Sequence, residues 1–270
     1  MDTITIDKGA ILGMGSYSTV FIGTFNGEQV AVKRIPHYRI ESMERRVNII
    51  KLLNHNNVVR FLGFNNDGDF RYYAFELAAA SLSDFCRGYY KGKIPSDGDA
   101  LKQMTKALQY IHGLKLVHRN IKPSNIVISE SQPVKLMITN FSLCEASGNS
   151  SFVRKVTEEW RAPEIFYDDD DDDDDDDQPV RNGFSSDTWA LGCVLFYFLT
   201  RGIHPFGETL KKIRYNMFVK EKASIDFALQ SSDQKMAKVS KLIGEMIQIE
   251  PEKRISLEHV VQNLEIIYPQ

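Results

Sequence analysis

The spacing of apolar residues changes once along this 270-residue chain, and that change restricts the folds open to it. Up to about residue 80 the apolar residues come in short runs: TITI, GAILGMG, TVFIGTF, QVAVKRI, VVRFLGF and FRYYAFEL. They are rich in Val, Ile, Phe and Tyr and parted by Gly, Asn and Asp, the pattern of strands joined by turns. One segment, SMERRVNIIKLL, interrupts them with Met43, Val47, Ile50 and Leu53 near helical spacing. From Leu82 onward the spacing is helical, most clearly in DALKQMTKALQYIHGL, then in SSDTWALGCVLFYFLTRG, ETLKKIRYNMF and MAKVSKLIGEMI. A small β-rich half followed by a larger helical half is an α+β arrangement, and no solenoid period is present.

With 43% hydrophobic and 26% charged residues, wholesale disorder and fibrous repeats are excluded. The longest apolar stretch, WALGCVLFYFLT at 189–200, is too short to span a bilayer and reads as a buried helix. The opening MDTITIDKGA lacks the basic-then-apolar pattern of an export signal. Three scattered cysteines, Cys86, Cys144 and Cys193, argue for a reducing compartment and against a disulfide frame or zinc site. The formal net charge of −3 includes ten consecutive aspartates, Asp168 to Asp177, so the remainder carries +7. Like charges at that density stay solvated, and the run reads as an insertion in a surface loop. Lys211, Lys212 and Arg214, and Lys235, Lys238 and Lys241, are spread along helices without interleaved aromatics, so no nucleic-acid partner is expected.

Chemistry concentrates in a series of short motifs. Gly13-Met14-Gly15-Ser16-Tyr17-Ser18 lies between two expected strands, ahead of Val20; alone, such a glycine pair could simply make a turn. Lys33 ends the strand segment Ala31-Val32-Lys33. His118-Arg119-Asn120-Ile121-Lys122-Pro123-Ser124-Asn125 is followed by Asn140-Phe141-Ser142 and then by Arg161-Ala162-Pro163-Glu164. Asp187 and Trp189 open the long apolar helix, and Arg254 comes late in EPEKRIS. In this order and spacing the motifs resemble those of a protein kinase, in which a glycine flap and a strand lysine hold ATP. Lys122 and Pro123 resemble the serine/threonine branch. The string Phe75-Glu76-Leu77-Ala78-Ala79-Ala80-Ser81-Leu82, the pair Leu143-Cys144, and Gly202-Ile203-His204-Pro205-Phe206-Gly207 are similar to inositol-requiring enzyme, the kinase–endoribonuclease of the unfolded-protein response.

The resemblance implies one two-lobed domain over 1–270, with an N-lobe to about residue 77, a hinge at about 76–81 and a C-lobe from about 82. It implies an ATP or ADP site built from Gly13, Gly15, Ser18, Val20, Ala31, Lys33, Phe75, Glu76, Ala78, Val127 and Asn140. Ile50, Phe61, His118 and Phe141 would stack between the lobes. The catalytic positions would be Asn120, Lys122 and Asn125, and the metal positions Asn125 and Asn140. Expected partners are the nucleotide, a second copy of the chain or a kinase paralogue, with no membrane contact. The place implied is the cytoplasm, or the cytosolic face of a larger parent anchored in the endoplasmic reticulum. No nuclease module follows within this sequence.

Four positions depart from the family pattern. Asn120 stands where an aspartate accepts the substrate proton, which an amide cannot do. Asn140 replaces the metal-binding aspartate, so magnesium loses its anionic ligand. Ser142 replaces a glycine and removes backbone freedom. Counting back from His55, Arg46 falls where a helix glutamate would pair with Lys33, with Glu44 on the far side of that helix. These departures point to a pseudokinase that binds nucleotide with little dependence on magnesium. Two rivals remain at this point: a weak kinase with Asn120 orienting the hydroxyl and Asn125 alone holding a metal, and a scaffold without nucleotide. The segment between Asn140 and Glu164 carries Ser147, Ser150, Ser151 and Thr157, with Arg119 available to pair with a phosphate there; the alternative is a merely polar loop.

Overall fold

Alternating β-branched and aromatic residues build a five-stranded antiparallel sheet in the order β1-β2-β3-β5-β4. Its strands are β1 (Ile4–Met14), β2 (Thr19–Phe25), β3 (Glu28–Pro36), β4 (Phe61–Asn66) and β5 (Phe70–Glu76). The computed structural model describes residues 3–15, 18–39, 47–148, 158–166, 183–219, 223 and 233–269. Ser16, Tyr17, Met43, Glu44, Arg46, Ser150, Ser151, Thr157 and the aspartates from Asp168 to Asp177 lie outside the described residues.

Period-two alternation gives the sheet two unlike faces. Val30, Val32 and Ala74 are buried on one, where Ile4, Ile6, Phe25, Leu62 and Tyr72 cover them. Ile35 and Tyr73 are buried on the other against Val47 of α1 (47–52), with Phe61 and Phe75 packed beside them. Val47, Ile50 and Leu53 are all buried while Leu52 is exposed, so the core stripe of α1 is the one that its helical spacing predicts. TITI and GAILGMG, read as separate strands in the sequence, form the single β1, with register shifts between Ile6 and Ile11 and between Ile11 and Gly13.

The rest of the chain is helical around one core. Its helices are α2 (Leu82–Cys86), α3 (Asp97–Gly113), α4 (Phe184–Leu199), α5 (Leu210–Phe218), α6 (Gln234–Met246) and α7 (Leu257–Ile267). Ser81 and Asp84 start α2 with a reciprocal capping box. Ser96 caps α3 by accepting the Asp99 N–H. Helix α4 is buried on every side from Ser186 to Phe198, which explains why its sequence is apolar all round. Glu164 holds the Arg254 guanidinium through two bonds of 2.7 Å, and Arg254 also donates to the carbonyls of Ser185, Gln248 and Ile249. A buried charge is tolerated there because each of the three guanidinium nitrogens has an acceptor.

Four short strands fall inside the part that reads as helical: β7 (Leu116–Val117), β8 (Ile126–Ser129), β9 (Leu136–Ile138) and β10 (Glu145–Ala146). The expected hinge is also a strand, β6 (Ala78–Ser81), which pairs with β8. The Val59 N–H donates to the Ile138 carbonyl, and the Ile138 N–H donates to the Asn57 carbonyl. Backbone hydrogen bonds therefore join the two parts at two places. Among the described residues no helix is long and apolar enough to cross a membrane.

Candidate functional site

Sheet register collects the N-terminal site residues in one row. Gly13 lies opposite Val20, Val20 opposite Lys33, and Ala31 opposite Phe75. Directly paired residues of an antiparallel sheet point to the same side, so Val20, Ala31, Lys33 and Phe75 share a face. The Gly15 N–H donates to the Ser18 carbonyl at 2.8 Å and closes the turn between β1 and β2. Among the described residues, a Cβ added at Gly13 would meet no atom within 4 Å, so their packing does not require glycine there.

Further candidate residues lie on and beside β6 and β8. Ile126 and Ile128 are fully buried in the core, so the alternation of β8 turns Val127 to the other face. Ala78 pairs with Ser129 and Ser81 with Val127. Just before Ala78, the backbone of Glu76 bonds to the Arg60 carbonyl, and its carboxylate accepts the Arg60 N–H. Phe61 and Phe75 meet edge to face at 5.6 Å.

Asp187, at the start of α4, shapes the loop between β7 and β8. Its carboxylate accepts the backbone N–H of His118 at 2.7 Å and of Arg119 at 2.9 Å, and the His112 Nε2–H at 3.0 Å. These bonds hold Arg119 in the left-handed region at φ 64°, a conformation that costs about 1–3 kcal/mol in a non-glycine residue. Burial would raise the Asp187 carboxyl; the bond and charge of His112 and the His118 amide outweigh it and hold the carboxyl below its usual range. Burial pushes the His118 imidazole down. The neutral ring accepts the Asn120 N–H at Nδ1, 3.3 Å away, and directs Nε2 at the Thr139 carbonyl, 3.1 Å away. His118 also stacks edge-on with Phe141 at 5.0 Å. Ile50 and Phe141 belong to the main core cluster with Phe61 packed against it, and of the four expected spine residues His118 and Phe141 meet directly.

The polar centre is a chain of hydrogen bonds. Lys33 Nζ donates to Asn140 Oδ1 at 3.1 Å, and Ser142 Oγ donates to the same oxygen at 2.8 Å. Asn140 Nδ2 donates to Asn125 Oδ1 at 3.2 Å, and Asn125 Nδ2 donates to the Asn120 carbonyl at 2.7 Å. Asn140 takes up a left-handed conformation (φ 66°), which asparagine tolerates better than most residues. Burial lowers the Lys122 ammonium pKa against the opposing charge of Glu159. The structure thus brings Lys33, Asn120, Asn125 and Asn140 into one connected group, with Lys122 on the same loop.

Two features here were not foreseen from sequence. Arg119, expected to await a phosphate, donates from Nη1 to the Glu145 carboxylate at 2.6 Å. Ser142 supplies a hydroxyl to Asn140 besides stiffening the loop. Neither pairing had a periodic or motif signal; each depends on how β10 and the Asn140 turn fold back.

The chain matches a protein kinase domain model over residues 6–264 and belongs to the protein kinase family. It is 30% identical to the serine/threonine-protein kinase/endoribonuclease ire-1 of Caenorhabditis elegans, over 94% of this chain and 26% of that protein. Identity to the serine/threonine-protein kinase/endoribonuclease ireA of Aspergillus fumigatus is 33%, over 94% and 25%. Identity to the serine/threonine-protein kinase/endoribonuclease IRE2 of Homo sapiens is 32%, over 77% and 23%. The chain therefore spans about a quarter of the length of the relatives it matches.

Proposed function

We propose that this kinase domain binds an adenine nucleotide and acts through its conformation and its contacts with partners, with little or no phosphotransfer. The observation that carries the reading is Asn120. It lies buried in a loop fixed by Asp187, at the position where the family needs a proton acceptor, and an amide does not accept that proton. Loss of a general base typically costs about 10²–10⁴ in rate. The face bearing Gly13, Val20, Ala31 and Lys33, with Val127 opposite, supports retention of nucleotide binding. In this reading the backbone of Glu76 and Ala78 holds adenine, Lys33 meets the phosphates, and Phe75 narrows the back of the site. The relatives named kinase/endoribonuclease suggest a signalling parent in which this domain relays its nucleotide-bound state to a partner copy or paralogue.

A weakly active kinase is the second reading, favoured by the retention of Lys122 and Asn125. Two assays on the same preparation separate them: calorimetric titration with ATP, and transfer of labelled phosphate to the chain itself and to a generic substrate protein. The proposal expects saturable binding and no transfer above background. Transfer near the family range of ~1–100 s⁻¹ would overturn it, and absence of binding would leave only a scaffold role.

A further inference from the structure

The family's kinases place a divalent cation between the residues at positions 125 and 140, and the groups present here do not fit one. Magnesium requires oxygen lone pairs, preferably anionic, in near-octahedral array. The polarity of the hydrogen-bond chain shows what the two side chains offer instead. An ammonium can only donate, so Lys33 fixes the oxygen of Asn140 toward itself, and the Ser142 hydroxyl donates to that same oxygen. The amide nitrogen of Asn140 must then face Asn125. Independently, the Asn120 carbonyl can only accept, so it fixes the nitrogen of Asn125 and leaves the Asn125 oxygen turned to Asn140. Both assignments agree, and flipping either amide would set donor against donor or acceptor against acceptor. An N–H therefore points at the one oxygen that a metal would use.

We infer that the Asn140 amide takes the place of the divalent cation, closing the metal position and orienting Lys33, so that the ligand of this domain is the metal-free nucleotide. The inference rests on the nucleotide-binding reading above. An aspartate at 140 could not make the 3.2 Å contact, because two acceptor oxygens would face each other, and a cation between them would relieve that repulsion. Position 140 thus chooses between a metal and a hydrogen bond. Ser142 belongs to the same choice, since a glycine there has no hydroxyl to hold the Asn140 oxygen. Asn140 acts on the nucleotide through Lys33 and is a positioning residue.

The test compares the unmodified chain with Asn140→Asp in two measurements. The first uses no nucleotide: melting curves in EDTA and in millimolar manganese. The unmodified chain should melt alike in both, and Asn140→Asp should melt lower in EDTA and recover with manganese. The second is calorimetric titration with ATP in EDTA and in magnesium. The dissociation constant of the unmodified chain should change less than about threefold, and that of Asn140→Asp should tighten about tenfold or more with magnesium, the equivalent of roughly 1.4 kcal/mol. Stabilisation of the unmodified chain by manganese alone, or ATP binding that requires magnesium, would overturn the inference. If ATP binds in neither condition, the ligand assignment fails together with the nucleotide reading, and the manganese melts still decide whether the metal position is closed. Should Asn140→Asp not fold, both measurements on the unmodified chain decide alone.

Discussion

A carboxylate oxygen of Glu145 lies 2.6 Å from Nη1 of Arg119, and the arginine side chain is only 2% exposed. The pairing of β10 with β7 sets this contact, because Glu145 lies opposite Val117, two residues before Arg119. Asp187 holds the Arg119 backbone from the other side. The arginine that sequence reasoning assigned to a phosphate is already engaged by a carboxylate of the same chain.

Exchanging Glu145 for Gln removes one countercharge from that buried guanidinium. The expected loss is about 1.5–3 kcal/mol, the range for hydrogen bonds to charged groups, read from urea denaturation with an unchanged slope. Acidic substitutions at Ser150 and Ser151 should leave proteolysis of the segment after Cys144 unchanged in the parent, because Glu145 holds Arg119. In a Glu145→Gln background they should protect it. Protection in the parent would show that a phosphate can displace Glu145.

Gly13 separates ligand space from packing. Since an added Cβ meets no atom within 4 Å among the described residues, Gly13→Val should leave the nucleotide-free stability within about 0.5 kcal/mol of the parent, as at ordinary surface positions. If a nucleotide lies against the flap, ATP affinity should fall about tenfold or more, roughly 1.4 kcal/mol. Equal ATP affinity in the two proteins would remove the flap from the site.

Acid should weaken the fold before the carboxylates titrate. Burial pushes His204 down to about 4, while its Nδ1 accepts the Phe206 N–H and its ring packs edge-on against Trp160 at 4.8 Å. Below about pH 6.5 the unfolded chain takes up a proton that the folded chain refuses, so stability is full above that pH and falls as the pH drops toward 4. The whole window is worth about 3 kcal/mol for this residue. Melting curves between pH 7.5 and 4.5 should show the loss, and His204→Gln should reduce it. An identical pH slope in the variant would assign the effect elsewhere, with His118 the next candidate because burial depresses it too.

The long elements were legible because their periodicity survives any local detail. Helix α4 is apolar on every face because it is buried on every face, and Val47 and Ile50 point inward as their spacing implies. The strands β7 and β10, of two residues each, are too short to carry a period, and β6 lies inside a string of alanines. Their existence depends on partners more than twenty residues away. The same holds for the site. The motifs locate Asn120, Asn125 and Asn140 in the loops around β8 and β9 and Lys33 on a strand, and the loss of a carboxylate at 120 and 140 is visible in the letters. Which way each amide points is set by Lys33, Ser142 and the Asn120 carbonyl together, and becomes visible only once the loops are folded.

The central claim is that this domain holds a nucleotide without needing a metal to do so. The most direct measurement is a thermal melt of the unmodified chain with saturating ATP, in EDTA and in magnesium, beside the nucleotide-free protein. At about 100 times the dissociation constant, ATP should stabilise the fold by about 2.7 kcal/mol, a melting shift of roughly 5–10 °C for a chain of this size. The account predicts that shift in both tubes. A shift in magnesium alone, or in neither tube, would contradict it.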